Sequence, residues 1–158
     1  MKSTILIARI LIAPLVAVLT FADGGAVFAD QKLERVNPSG LSTPQTYTHV
    51  IKAGKTLYIA GQVGATADGK IVGPGMKEQL EQVLQNLTTA LKSQGADFSH
   101  IAKITVFVTS IPEFRAPDVV AVRNKYFGDN KPASTLVQIQ QLASPDYKVE
   151  IEAIAVLP

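Results

Sequence analysis

The stretch Lys148-Val149-Glu150-Ile151-Glu152-Ala153-Ile154-Ala155-Val156 carries the strongest hint of chemistry in this chain. In a strand, successive side chains point to opposite faces. Val149, Ile151, Ala153 and Ala155 then share a wholly apolar face, and Glu150 and Glu152 share the other with Ile154 and Val156. Carboxylates set among apolar residues are costly to bury, and crowding of two raises the pKa of one. A carboxyl in that state suits general acid–base work. The competing reading is a half-exposed strand with two solvated glutamates, the usual condition of surface carboxylates.

Other chemistries have little support. The chain has no cysteine, which excludes disulfides, thiolate catalysis and cysteine metal sites. His49 and His100 are far apart and lack metal-ligand spacing, so each reads as a surface or structural histidine. There is no Gly-x-Gly-x-x-Gly, no P-loop and no Gly-x-Ser-x-Gly elbow.

The first thirty residues stand apart from the rest. Lys2 and Arg9 precede an apolar run from Ile10 to Phe21, and Ala26-Val27-Phe28-Ala29 ends in a small-x-small pattern before Asp30. This describes a secretory signal peptide over residues 1–29, cleaved after Ala29. The run is short for a transmembrane helix, which needs about 20 residues. Residues 30–158 are then expected to form a single domain, exported to the periplasm or the medium. Of 15 basic and 13 acidic side chains, Lys2, Arg9 and Asp23 leave with the leader, so 13 and 12 remain. A near-neutral mature chain without a basic run lacks the electrostatic footprint of a nucleic-acid binder.

The elements that must position the glutamates follow from periodicity. Residues 30–44 hold Pro38, Gly40 and Pro44 and read as an irregular lead-in. Tyr47 to Lys52 and Thr56 to Val63 read as strands joined by a hairpin turn at Ala53-Gly54-Lys55. Met76, Leu80, Val83, Leu84, Leu87 and Leu91 recur at helical spacing, with Gly95 just past the end. Ile101 to Thr109 is a strand. Pro117 opens a shorter helix that runs to Phe127, and Gly128 follows. Ser134 to Gln140 and Val149 to Val156 complete the set. The order β-β-α-β-α-β-β describes an α+β domain with two helices on one face of a mixed sheet.

The other sheet face is expected to carry Tyr58, Gln62, Thr105, Phe107, Leu136, Gln138, Gln140, Glu150 and Ile154. Such a face is too apolar for water and too polar for a core. It predicts a homo-oligomer with facing sheets and sites in the clefts between subunits.

Several separated segments resemble the RidA (YjgF/UK114) family. They are Leu57-Tyr58-Ile59-Ala60-Gly61-Gln62, the run from Gly95 to Thr109 with Glu113-Phe114, Tyr126-Phe127, Pro132-Ala133-Ser134-Thr135, and Val149 to Ala155. The resemblance spans roughly Asn37 to Val156. It implies a chorismate-mutase-like α+β fold and a homotrimer whose central sheets form a barrel, with three clefts between subunits. It further implies hydrolysis of reactive enamines and imines, such as 2-aminoacrylate and its imine tautomer, to ammonia and a 2-keto acid. No metal or organic cofactor is implied. In the family, an arginine binds the substrate carboxylate, a glutamate positions or activates water, and a tyrosine helps to close the cleft.

Carried onto this chain, the resemblance puts Glu150 at the water-positioning glutamate, Tyr47 at the cleft tyrosine and Gly61 at the cleft glycine. Ser134, Thr135 and Leu136 fall on the substrate-binding strand. The pattern departs at one decisive point. The family's Pro-Ala-Arg-Ser is Pro132-Ala133-Ser134-Thr135 here, so Ser134 stands where the arginine would be. Ala60 replaces a serine, and an apolar residue near Val120 replaces an asparagine. A guanidinium makes two charge-assisted bonds to a carboxylate, each worth about 1.5–3 kcal/mol. One neutral hydroxyl in its place should weaken binding of an α-imino acid by roughly two to four powers of ten. Arg115 and Arg123 lie on or near the second helix, placed on the far side of the sheet from the cleft. Three functions follow: a deaminase acting on a changed substrate, a trimer that binds a small ligand without turnover, and an endoribonuclease. The near-neutral charge and the lack of a histidine pair argue against the last.

Overall fold

A computed structural model of the chain describes residues 32–158, and the leader read at residues 1–29 lies outside them. One six-stranded sheet, ordered β1-β2-β3-β6-β4-β5, organises the domain. Its strands are β1 (Leu33–Val36), β2 (Val50–Ala53), β3 (Thr56–Val63), β4 (Ile101–Val108), β5 (Ala133–Gln138) and β6 (Val149–Val156). Helices α1 (Met76–Lys92), α2 (Ile111–Phe114) and α3 (Pro117–Phe127) join them. All neighbouring strands pair antiparallel except β4 and β5, which are parallel and linked through α2 and α3. A parallel pair needs such a crossover, because a hairpin cannot reverse the chain twice.

The core lies between the sheet and the helices. The helical repeat places Leu80, Val83, Leu84, Leu87 and Leu91 of α1 fully inside. They meet Val149, Ile151, Ala153 and Ala155 of β6 and Ile104, Val106 and Val108 of β4 in one cluster. Alternation in β6 holds as read: those four residues are buried, whereas Glu152 and Val156 are exposed and Glu150 and Ile154 lie between. Local punctuation holds as well. Gly54 has φ of 58° in the two-residue turn between β2 and β3, a backbone that L side chains rarely adopt. Pro117 sits in the first turn of α3, where a missing N–H is harmless.

Four features differ from the sequence reading. The lead-in contains β1, a polar strand (Leu-Glu-Arg-Val) defined only by its pairing with β2. Strand β2 begins at Val50, which leaves Tyr47 and Thr48 in the preceding loop. A third helix, α2, fits a single turn after Ser110, whose hydroxyl accepts from the Glu113 N–H at 3.3 Å. Finally, β5 runs from Ala133 to Gln138, so Gln140 lies beyond it.

The composition of the open sheet face also needs correction. Strand β3 shifts register against β6 between Ile59 and Gln62. Such an irregularity breaks strict alternation, and it turns Gln62 inward, where it is 2% exposed. In β5, register aligns Ser134 with Ile104, Leu136 with Val106 and Gln138 with Val108. Paired residues of neighbouring strands share a face, so these three lie on the helix-bearing side. The Gln138 Oε1 confirms this by accepting from the Ile111 N–H at 2.9 Å. Tyr58, Thr105, Phe107, Glu150 and Ile154 remain on the open face with Thr135 and Val137.

Candidate functional site

Glu150 is half-buried on the open face of β6. Burial pushes its carboxyl pKa up, and the negative charge of Glu152 pushes it further in the same direction. The sequence argument named crowding; the structure makes loss of water the larger cause. Among the described residues, no hydrogen bond lowers it again.

The place for this side chain is made by Gly61 on β3. A Cβ added at Gly61 would overlap the Glu150 Oε1 outright and would lie 2.7 Å from Cδ and 2.9 Å from Cγ. The glutamate therefore folds over bare backbone at the register shift of β3. That is a close approach only glycine permits. Of the site residues carried over by the resemblance, Gly61 and Glu150 come into direct contact.

Tyr47 reaches this region less directly. Its ring is half exposed and meets the His49 imidazole edge to face, with centroids 5.3 Å apart and planes at 80°. His49 is 3% exposed. Its Nδ1 lies 3.2 Å from the Gln62 Nε2, and its Nε2 lies 2.9 Å from the Ser42 carbonyl oxygen. Gln62 follows Gly61 in β3, so a chain of contacts runs from Tyr47 through His49 and Gln62 to the floor under Glu150. The sequence reading placed Gln62 on the open face and treated His49 only as a structural or surface residue. The available signal was a pair of polar side chains inside apolar strand segments.

Ser134, Thr135 and Leu136 are not brought to Glu150 within one chain. Strand β4 separates β5 from β6, and β5 is the sheet edge. Ser134 and Leu136 also face the helix side, opposite to Glu150. Neither candidate arginine fills the gap visibly. Arg123 on α3 lies over the Phe127 ring, 5.0 Å from its centroid, and Arg115 is exposed at the end of α2.

The open face also holds a concavity of about 320 Å³, whose lining includes Tyr58, Ala60, Lys103, Thr105, Glu152 and Ile154. Glu152, the second carboxylate of the strand, points here. Among the described residues, no group of three or more histidine, aspartate or glutamate side chains could hold a metal ion. No helix among them is long and apolar enough to cross a membrane.

A mixed sheet with helices on one face and a carboxylate poised on the other defines an α+β protein of the chorismate-mutase-like class. Known proteins narrow the class. The family model described as Endoribonuclease L-PSP matches residues 39–157. A RutC family protein of Pyrococcus horikoshii is 37% identical over 110 residues, covering 69% of this chain and 85% of that protein. The 2-iminobutanoate/2-iminopropanoate deaminase of Homo sapiens is 33% identical over 111 residues, covering 70% and 79%. Among solved structures, yeast Mmf1 superposes with a TM-score of 0.74 at 29% identity, over 80% of this chain and all of that one. RidA from a Psychrobacter species gives 0.69 at 27% identity, over 78% and 98%. The chain belongs to the RidA (YjgF/UK114) family.

Proposed function

We propose that this protein is a cofactor-independent hydrolase of imines and their enamine tautomers, with specificity moved away from α-imino carboxylates. The observation that carries the reading is the half-buried Glu150, its pKa raised by burial, folded over the Gly61 backbone on an open sheet face. Its relationship to proteins named 2-iminobutanoate/2-iminopropanoate deaminase supports the same chemistry. The ionised carboxylate takes a proton from a water molecule as the water oxygen bonds to the imine carbon. Glu150 passes that proton to the nitrogen, giving the neutral carbinolamine. It then takes the hydroxyl proton as the carbonyl forms and delivers it to the nitrogen as the carbon–nitrogen bond breaks and ammonia departs. Imine and water become carbonyl compound and ammonia, and no redox or metal step is needed.

The site is a cleft between copies of the chain in a homotrimer. Ser134 and Glu150 occupy opposite faces of one sheet, so a pocket that uses both must draw them from different subunits. With Ser134 in place of an arginine and two glutamates nearby, the cleft suits a substrate without a carboxylate. We also propose that residues 1–29 are removed on export, with the mature N-terminus at Asp30. Mass spectrometry of protein from its native host checks this, and an intact Met1 would overturn it.

The deciding assay is ammonia release from two freshly generated imines, 2-iminopropanoate and propan-2-imine, by the mature protein and by Ser134→Arg. Turnover of propan-2-imine by the unmodified protein, with 2-iminopropanoate gained in Ser134→Arg, is the expected result. Turnover of 2-iminopropanoate without the arginine would show that another group holds the carboxylate. Silence of both proteins on both imines would leave a trimer that binds a small ligand without turnover.

A further inference from the structure

We propose that His49 is a positioning residue that locks the Tyr47 ring and the Gly61 backbone into one arrangement through a single imidazole tautomer. Only the purpose of that arrangement rests on the hydrolase reading above; the lock itself is a matter of geometry.

The tautomer follows from the partners. An amide NH₂ only donates and a backbone carbonyl only accepts. The Gln62 Nε2 faces Nδ1 of His49 at 3.2 Å, so Nδ1 accepts. The Ser42 carbonyl faces Nε2 at 2.9 Å, so Nε2 carries the proton. The orientation of the Gln62 amide is fixed independently, because the same Nε2 donates to the Ala60 carbonyl at 2.9 Å. Both ring nitrogens of His49 are thus committed to partners, and the ring is almost fully buried.

The backbone of His49 is clamped as tightly as its ring. Its N–H donates to the Asn37 Oδ1 at 2.9 Å, and its carbonyl accepts from the Ala60 N–H at 2.9 Å. One residue therefore ties the lead-in, at Asn37 and Ser42, to β3 at Ala60 and Gln62. Those two residues flank Gly61, the floor under Glu150. Tyr47 stands in the loop two residues before His49 and rests its ring on the imidazole. Moving the imidazole moves both walls of the cleft that this chain supplies.

The test uses the mature protein, histidine-labelled with ¹⁵N, and two variants. His49→Phe keeps a ring against Tyr47 but cannot bond Gln62 or Ser42. His49→Gln keeps an acceptor and a donor on one side chain. At neutral pH, the unmodified protein should show a protonated Nε2 and an unprotonated Nδ1 at His49. His49→Phe should shift the Tyr47 ring and Gly61 amide resonances and speed exchange of the Ala60 amide, with the Leu84 and Leu87 methyls unmoved. His49→Gln should restore the Gly61 and Ala60 signals. On whichever imine the unmodified protein hydrolyses, His49→Phe should lower kcat about 10- to 100-fold with little change in KM, the scale of loss when a reacting group is misplaced by about 1 Å. A proton on Nδ1, or Tyr47 and Gly61 signals that stay put in His49→Phe, would overturn the proposal. Should His49→Phe fail to fold, the tautomer and the His49→Gln spectrum decide it. Should the unmodified protein hydrolyse neither imine, the hydrolase reading fails and the spectra still decide the role of His49.

Discussion

The carboxyl of Glu150 is costly to ionise where it sits, and that has consequences in two directions. Its folded-state pKa lies above the unfolded value, so between the two the folded chain keeps a proton that the unfolded chain has released. Stability therefore falls as pH rises through that window. Glu150→Gln removes the effect: thermal unfolding should show a higher Tm than the parent at pH 8 and an equal one at pH 4. The same substitution should lower kcat for imine hydrolysis by about 10²- to 10⁴-fold, the usual contribution of a general base. In the parent, activity should be lost on acidification at a higher pH than an ordinary, solvated glutamate would set. Gly61→Ala separates place from charge. Its Cβ would claim the space of the carboxylate, which can swing outward because it ends a flexible side chain. The variant should fold, lose activity, and recover an ordinary glutamate titration by carbon-detected NMR. An active variant would show that the contact with Gly61 is incidental.

At the scale of elements, a buried glutamine holds the loops at one end of the sheet. Gln79 on α1 is fully inside. Its Nε2 donates to the carbonyls of Gly73 and Asp146 at 2.9 and 2.8 Å, and its Oε1 accepts from the Lys148 N–H at 2.8 Å. Gly64 lies close enough that a Cβ there would meet the Gln79 Cγ at 2.6 Å. The helix thus sets where β6 begins, one residue after Lys148 and one before Glu150. Gln79→Leu fills similar volume but strands three backbone groups, each worth about 1–3 kcal/mol when buried and unpaired. Urea unfolding should show a loss of at least about 3 kcal/mol. A loss under about 1 kcal/mol would mean that water replaces the amide freely.

For the whole molecule, the sheet is finished on one side only. β5 is an edge strand whose residues are exposed except Leu136, and an uncovered edge invites pairing. Tyr58, Val137 and Val156 add exposed apolar surface on the open face. The trimer proposed above would cover this face and account for both. Light scattering at micromolar concentration should give three times the monomer mass. Val137→Lys should reduce it to one, with far-UV circular dichroism unchanged. A monomeric parent would remove the inter-subunit cleft from the functional reading.

What the amino-acid order determined by itself was whatever depends on neighbours a few residues apart. The period of 3.6 in α1, the alternation in β6, the glycine turn after Ala53 and the proline start of α3 are all of this kind, and each is where it was expected. So is the approximate setting of Glu150, because its strand neighbours dictate an apolar surround. Only the tertiary structure decided the rest. β1 carries no burial signal and exists because β2 lies beside it. The irregularity in β3 is a property of its pairing with β6, and it turned Gln62 from the open face into the partner of His49. The parallel register with β4 set which face Ser134 shows, and it separated that residue from Glu150. Local periodicity gives a strand its two faces. Which face turns inward is set by pairing across the sheet, between residues that are distant in the chain.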